Sequence, residues 1–347
     1  MDKIKHLCWT CALVPEELIF AAGVQSKRLY YKSEPKAEPS EYTLPVNFCS
    51  LVRTYFEALT IYRDSNMEGA ILTTACSATY FLYDALKHCG NMNFIYMLDV
   101  PRKQDPAGID FFARQLADLA KTLGKHFHVT IDRDKLFQAI EHFNRIRDFL
   151  AIFHEARVSH RLSGQDYFKI VHLISISDKV IVLKQLEKIK KDILHADFAD
   201  EKTKKKILLL GSPLLSIDLV AFLESFQVTV DIDDLCTGAG YLGSHVETEG
   251  DLYFNLAAAY LKSRLCSRME RNDTRIRQVK EMLANFQPDG VIYNLSKFRV
   301  TDSYESVMLK EEFFNEIATP YLVLANDHPF EMNLSMKSRL ETFIQVL

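Results

Sequence analysis

Six residues, Ile71–Cys76 (ILTTAC), decide how this chain is interpreted. They start at the end of a short apolar run, typical of a buried β-strand, and pass through three small residues to Cys76. The spacing of apolar residues predicts a helix over Ser77–His88. The thiol is therefore expected at the C-terminal end of a strand, the edge of an α/β sheet where ligands usually bind. A helix N-terminus also favours a thiolate there, although a lone cysteine is more often a small buried apolar residue.

A second cysteine has the same local setting. Cys49 directly precedes another predicted helix, Ser50–Ala58. Two cysteines at similar turns into helices favour chemistry over simple packing.

Length, charge and cysteine content narrow the class of protein. The 347 residues are 48% hydrophobic, enough for a large core and two lobes. A formal net charge of -4 and the lack of a long apolar run predict neither a nucleic-acid partner nor a membrane partner. The N-terminus lacks the apolar core of a secretory signal, and seven cysteines do not suggest a disulfide framework. We therefore expect a cytoplasmic protein.

The order of predicted elements indicates an α/β fold with parallel sheets. Short apolar strands, such as Phe94–Leu98, alternate with helices at the start of the chain, and helix-period segments follow. A second alternating region begins at Ile207. Its predicted strands are Ile207–Leu210, Val228–Ile232, Gly290–Tyr293 and Tyr321–Ala325. The predicted organisation is an α/β lobe over 1–105, a helical connecting segment over 106–205 and a second α/β lobe over 206–347.

Two short motifs carry little weight. Gly238–Gly243 matches GxGxxG, but it does not follow the first strand of its lobe, so a glycine-rich loop at a strand end is the better interpretation. Cys8 and Cys11 have the spacing of a metal or redox pair, but no second CxxC accompanies them. The role of this pair is left open.

A series of stretches along the whole chain points to one family by its order and spacing. The stretches are PEELIFAAG (Pro15–Gly23), NFC (Asn47–Cys49), TTACSATYFLYDAL (Thr73–Leu86), LDVP (Leu98–Pro101), AIEHFNRIRDFL (Ala139–Leu150), KILLLGSPL (Lys206–Leu214), DDLCTGAGY (Asp233–Tyr241), DGVIYNLSKF (Asp289–Phe298), PYLVLANDH (Pro320–His328) and SRLETFIQ (Ser338–Gln345). With them the chain resembles the 2-hydroxyacyl-CoA dehydratase and benzoyl-CoA reductase family, as a subunit of the D-component type.

The resemblance implies a fold, a cofactor and partners. It implies two Rossmann-like lobes and a [4Fe–4S] cluster held by three cysteines, at positions like Cys49, Cys76 and the loop after the strand Gly290–Tyr293. It also implies a related family subunit, in a heterodimer or homodimer, and an ATP-dependent iron–sulfur activator. The implied reaction is radical chemistry on a CoA thioester, either loss of water by a lyase or ring reduction by an oxidoreductase.

The chain departs from the family at the third cysteine, where the sequence has Arg299. A guanidinium has no lone pair to give iron. Substitute ligands would have to come from elsewhere; the candidates are Cys8, Cys11, Cys89, Cys236, Cys266 and Asp302. Glu305 lies near the position of an acidic residue of the family. Its expected role is either catalytic or structural.

Three hypotheses remain open at this point. The chain could carry a cluster on Cys49 and Cys76 that an unusual ligand completes. It could be a cluster-free subunit that supports a catalytic paralogue, with Arg299 in the vacated space binding a phosphate or carboxylate. It could also be a non-redox module that binds a ligand in the cleft between the lobes.

Overall fold

The computed structural model describes residues 5–30, 44–45, 47–61, 65–89, 92–195, 204–263, 266–269, 273–314, 319–326 and 332–347. Those residues contain eight β-strands, in two four-stranded parallel sheets, and twelve α-helices. The predicted α/β class with two parallel-sheet lobes is confirmed.

The first sheet is short and largely buried. Its strands are β1 (His6–Trp9), β2 (Gln25–Arg28), β3 (Met67–Thr73) and β4 (Phe94–Leu98). They pair in the order β2-β1-β3-β4, and every residue of β3 is buried, as expected for the inner strand of a sheet covered on both faces. Gly69 permits the pairing with β4, because a Cβ there would lie 1.7 Å from the carbonyl oxygen of Phe94.

Three helices accompany this sheet. They are α1 (Glu16–Ala21), α2 (Ser50–Thr60) and α3 (Ser77–Cys89). Cys49 is the N-cap residue of α2, and Cys76 lies in the turn between β3 and α3, both as predicted. The strands β1 and β2 were not predicted, because each has only four residues and β2 is entirely polar.

Four helices connect the two sheets. They are α4 (Pro106–Phe127), α5 (Arg133–Val158), α6 (Gly164–Ile176) and α7 (Lys179–His195). Side-chain caps start three of them: Asp105 accepts from the amide of Gly108, Asp132 from that of Lys135, and Ser163 from that of Asp166. The sequence predicts a cap at Ser163 and another at either Asp132 or Asp134, and in the structure Asp132 is the second cap.

The second sheet repeats the plan of the first. Its strands are β5 (Lys205–Gly211), β6 (Val228–Asp233), β7 (Gly290–Ser296) and β8 (Tyr321–Asn326), in the order β6-β5-β7-β8. The helices of this region are α8 (Asp218–Glu224), α9 (Leu252–Lys262), α10 (Asp273–Phe286), α11 (Val300–Leu309), which a π-helical turn (Lys310–Phe314) extends, and α12 (Leu334–Val346). Gly238–Gly243 lies in the loop that follows β6, as predicted, whereas α11 was not predicted.

One apolar core runs through both sheets and the connecting helices, with Leu7, Phe143 and Ile207 among its fully buried members. This core crosses the limits predicted between residues 1–105, 106–205 and 206–347. Those limits therefore remain predictions. Among the described helices, none is both long and apolar enough to cross a membrane.

A buried ion pair fastens the connecting helices to the first lobe. Arg147 on α5 donates to the Glu17 carboxylate on α1 at 2.5 Å, and both side chains are almost fully covered. The Tyr260 hydroxyl, on α9, donates to the other Glu17 oxygen at 2.8 Å. Arg147 also donates to the carbonyl oxygen of Leu242, in the loop after β6, at 3.2 Å. One guanidinium thus joins elements from three parts of the chain.

We predict that Glu17→Gln lowers the free energy of unfolding by about 3 kcal/mol or more, because it leaves Arg147 charged, buried and without its counter-ion. Urea denaturation measures the change. Asp110→Asn is the matched control, since it removes a carboxylate from an exposed pair with Arg114 and should cost less than about 1 kcal/mol. Equal losses in the two variants would contradict the role given to Glu17.

Candidate functional site

A cleft lies where the carboxyl ends of the two sheets face each other. In each sheet the first strand of the lobe lies between the second and the third, so successive connections leave it in opposite directions. This is the switch point at which open α/β sheets usually bind ligands. The cavity here has a volume of about 120 Å³, and residues that follow strands of both sheets line it. The lining residues that follow strands include Thr10, Cys11, Cys76, Pro213, Asp234 and Arg299.

The structure brings three of the predicted site residues together. Cys49 is buried at the start of α2, Cys76 lines the cleft after β3, and Arg299 is the N-cap residue of α11 after β7. Burial opposes the charge of Arg299, but Asp302 and the two thiols lie close enough to hold the pKa of its guanidinium well above the ordinary value. Residues about 220 positions apart in the sequence therefore share one environment.

Arg299 is held in place by a carboxylate one turn along its own helix. Its Nε donates to Asp302 at 2.6 Å. Asp302 also accepts from the hydroxyls of Ser212 at 2.5 Å and Ser267 at 2.6 Å. Burial alone would raise the pKa of the Asp302 carboxyl, but Arg299, Arg268 and these hydrogen bonds hold it well below its usual range. Asp302 is therefore a buried anion whose acceptor positions are occupied.

A cluster held by three cysteines does not fit this set of side chains. Where the resemblance implies the third thiolate, the chain has a cation, Arg299, which is already ion-paired. Within the ranges that the structure describes, no group of three or more His, Cys, Asp or Glu side chains is arranged to hold a metal ion. Asp302, one of the substitute ligands considered, is committed to Arg299 and two serines.

The remaining substitute cysteines are spread over the site and beyond it. All seven cysteines lie in the described part of the chain, and none forms a disulfide. Cys11, Cys236 and Cys266 line the cleft, whereas Cys8 is buried in β1 and Cys89 is exposed at the end of α3.

Two of the thiols that line the cleft hold their protons at neutral pH. Burial raises the pKa of Cys11, and it raises the pKa of Cys266 to about 12. Cys236 is tied to the first lobe, since Arg28 donates to its carbonyl oxygen at 2.5 Å and to its sulfur at 3.3 Å.

Glu305 belongs to a second buried ion-pair group on the cleft wall. It pairs with Arg275 at 2.8 Å and accepts from the Tyr293 hydroxyl at 2.7 Å. Arg275 also pairs with Asp234. Burial raises the pKa of Asp234, although Arg275 opposes that shift. Both oxygens of Glu305 are thus engaged, an arrangement that favours the structural role over the catalytic one.

Two cleft residues were missed from the sequence. Thr10 follows β1, and its buried hydroxyl has no hydrogen-bond partner in the described structure. Arg268 lies in the loop after α9, and its Nε is likewise buried without a described partner. Nothing in the local sequence marks either one, because β1 is very short and the loop has no motif.

We predict that Asp302→Asn destabilises the fold by about 3 kcal/mol or more at pH 7, because Arg299 is left buried without its counter-ion. A carboxyl with a lowered pKa stabilises the fold above its unfolded pKa, and this contribution is lost as the pH falls toward the folded value. The difference in unfolding free energy between wild type and variant should hold from pH 7 to about pH 5 and shrink below about pH 4. Chemical denaturation across this pH range measures it, and a difference that grows in acid would contradict the assignment.

Comparison with known proteins identifies the family of this chain. The family described as 2-hydroxyglutaryl-CoA dehydratase, D-component, matches residues 11–347. YjiM of Escherichia coli (strain K12) is named as a dehydratase subunit by prediction only. It is 25% identical to this chain over 350 residues, which cover 97% of this chain and 90% of YjiM. The (R)-phenyllactyl-CoA dehydratase beta subunit of Clostridium sporogenes is 21% identical over 349 residues, 96% of this chain and 89% of that protein. With a match over nearly its whole length, the chain belongs to the 2-hydroxyglutaryl-CoA dehydratase D-component family.

Proposed function

We propose that this chain is a cluster-free partner subunit of a dehydratase complex that acts on 2-hydroxyacyl-CoA thioesters. The observation that carries the proposal is the Arg299–Asp302 ion pair beside Cys49 and Cys76, where the family resemblance implies a third cysteine. Family membership supports a subunit of a dehydratase, and the ion pair supports the absence of its own cluster.

The free energy that it would cost to move Arg299 away from Asp302 argues for the absence of a cluster. Arg299 and Asp302 are both almost fully buried, and Asp302 has further hydrogen bonds to Ser212 and Ser267. Moving Arg299 aside for a metal group would leave the Asp302 carboxylate buried and without its cation, at a cost of about 3–5 kcal/mol. The guanidinium itself offers no lone pair to iron. The two remaining thiols, Cys49 and Cys76, are fewer than the three that the family uses.

The proposed partner is a related subunit that keeps all three cysteines. Two family relatives are named as dehydratase subunits, and one of them as a beta subunit of a CoA-thioester dehydratase. In this arrangement the partner would hold the [4Fe–4S] cluster, receive the electron from an ATP-dependent activator and carry out the radical step of the dehydration. The present chain would contribute its fold and its cleft.

Iron analysis tests the absence of a cluster. We predict negligible iron and sulfide in wild-type protein purified and reconstituted without oxygen. Arg299→Cys should gain iron, because it supplies the third thiolate, whereas Arg299→Ser should not, because a serine hydroxyl is a poor ligand for such clusters. About four iron and four sulfide per wild-type chain would overturn the proposal.

Co-purification tests the partner. We predict that the chain, isolated without oxygen from the cells that make it, elutes with a second family subunit, which mass spectrometry identifies by a cysteine at each of the three positions. Dehydratase activity should follow the pair through gel filtration. Activity in fractions that contain this chain alone would contradict the division of roles.

A second candidate function retains the cluster on this chain. The observation that favours it is the convergence of Cys49 and Cys76 on one environment. It requires a third ligand from outside the present arrangement. Cys49→Ala and Cys76→Ala should each abolish iron retention under this alternative, and the iron content of the wild type decides between the two.

A further inference from the structure

We propose that the cleft binds a small carboxylate with a short apolar tail, held by the guanidinium groups of Arg268 and Arg299. This inference rests on the proposed function, because a cluster beside Arg299 would occupy the same space.

Arg268 is a cation near Asp302, whose carboxylate oxygens already accept hydrogen bonds from other side chains. It lines the cavity, and its Nε is buried without a hydrogen-bond partner among the described residues. Its positive charge contributes to the low pKa of Asp302, so the two lie near each other. The Asp302 oxygens, however, accept from Arg299, Ser212 and Ser267. An anion in the cleft would give Arg268 the partner that Asp302 does not.

Two further polar groups in the cleft are available to bind the same ligand, the guanidinium of Arg299 and the hydroxyl of Thr10. The hydrogen bond to Asp302 engages the Nε of Arg299 and leaves the two terminal nitrogens of this guanidinium for other contacts. Thr10 is only 7% exposed and lines the cavity, yet its hydroxyl has no described partner. A buried hydroxyl without a hydrogen-bond partner is unfavourable, and an oxygen atom of a bound ligand would supply the missing partner. Donors from both lobes are thus available to one ligand.

The chemistry and size of the cavity favour a carboxylate. Planar guanidinium groups match the two oxygens of a carboxylate in charge and geometry. Much of the remaining wall is apolar, and its carboxylates, Asp234 and Glu305, are both paired with Arg275. The apolar members include Ala12, Leu13, Leu51, Val52 and Met269. A volume of about 120 Å³ is close to that of cavities that hold one benzene molecule. It suits an acid with an apolar tail of a few carbons.

Calorimetric titration of the wild-type protein with 3-methylbutanoate tests the inference, with 3-methylbutanamide as its neutral isostere and inorganic phosphate as a competing anion. We expect saturable binding of the acid, at least tenfold weaker binding of the amide, and weaker binding of phosphate. Arg268→Gln should weaken binding of the acid at least tenfold, and Thr10→Val should weaken it several-fold. Arg114→Gln, on the exposed face of α4, is the matched control and should bind like the wild type.

Equal binding of acid and amide, unchanged binding by Arg268→Gln, or tighter binding of phosphate would each overturn the carboxylate site. Thermal denaturation confirms that each variant is folded before titration. Iron is measured on the same preparations. Iron-free protein that does not bind the acid overturns this inference alone, whereas stoichiometric iron overturns the proposed function.

Discussion

A buried guanidinium must have its charge balanced, and this requirement organises the cleft. Arg299 and Asp302 are almost fully covered and lie one helical turn apart. Ser212, at the end of β5, and Ser267, in the loop after α9, complete the surroundings of the carboxylate. The pair therefore ties the start of α11 to two other segments, in the place where the family resemblance implies a metal ligand. Removal of either charge would leave the other buried and uncompensated.

The same principle holds the large-scale architecture together. Glu17 and Arg147 join the first lobe to the connecting helices, and Arg157 joins those helices to Asp233 at the end of β6. Each pair is fully or almost fully buried. Removal of one partner would therefore leave an uncompensated buried charge and destabilise the fold strongly. Because the two lobes are fastened to the same long helix, α5, their sheet edges are held facing each other across the cleft.

The Arg299–Asp302 pair bears on the role of this chain within its family. This member of the D-component family has an ion pair where the resemblance implies the third cysteine, and the described donor set does not suit a three-cysteine cluster. Cys11 and Cys266, whose pKa values are raised, are neutral side chains of the cleft wall at physiological pH. Arg268 and Arg299 line the same cleft, together with the ion-paired side chains of Arg275, Asp234 and Glu305.

Local patterns in the sequence determined the α/β class, most strand positions, the cap at Ser163 and the turns that carry Cys49 and Cys76, because apolar spacing and capping act over a few residues. The substitution at Arg299 was also visible there. Only the tertiary structure decided what surrounds it. The pair Asp302 and Arg299 was within reach of sequence reasoning by its i,i+3 spacing, but the partners Ser212 and Ser267 come from distant segments. Thr10 and Arg268 line one cleft because the two lobes are joined through α5, and hydrogen bonding across such a junction depends on contacts that no local pattern encodes.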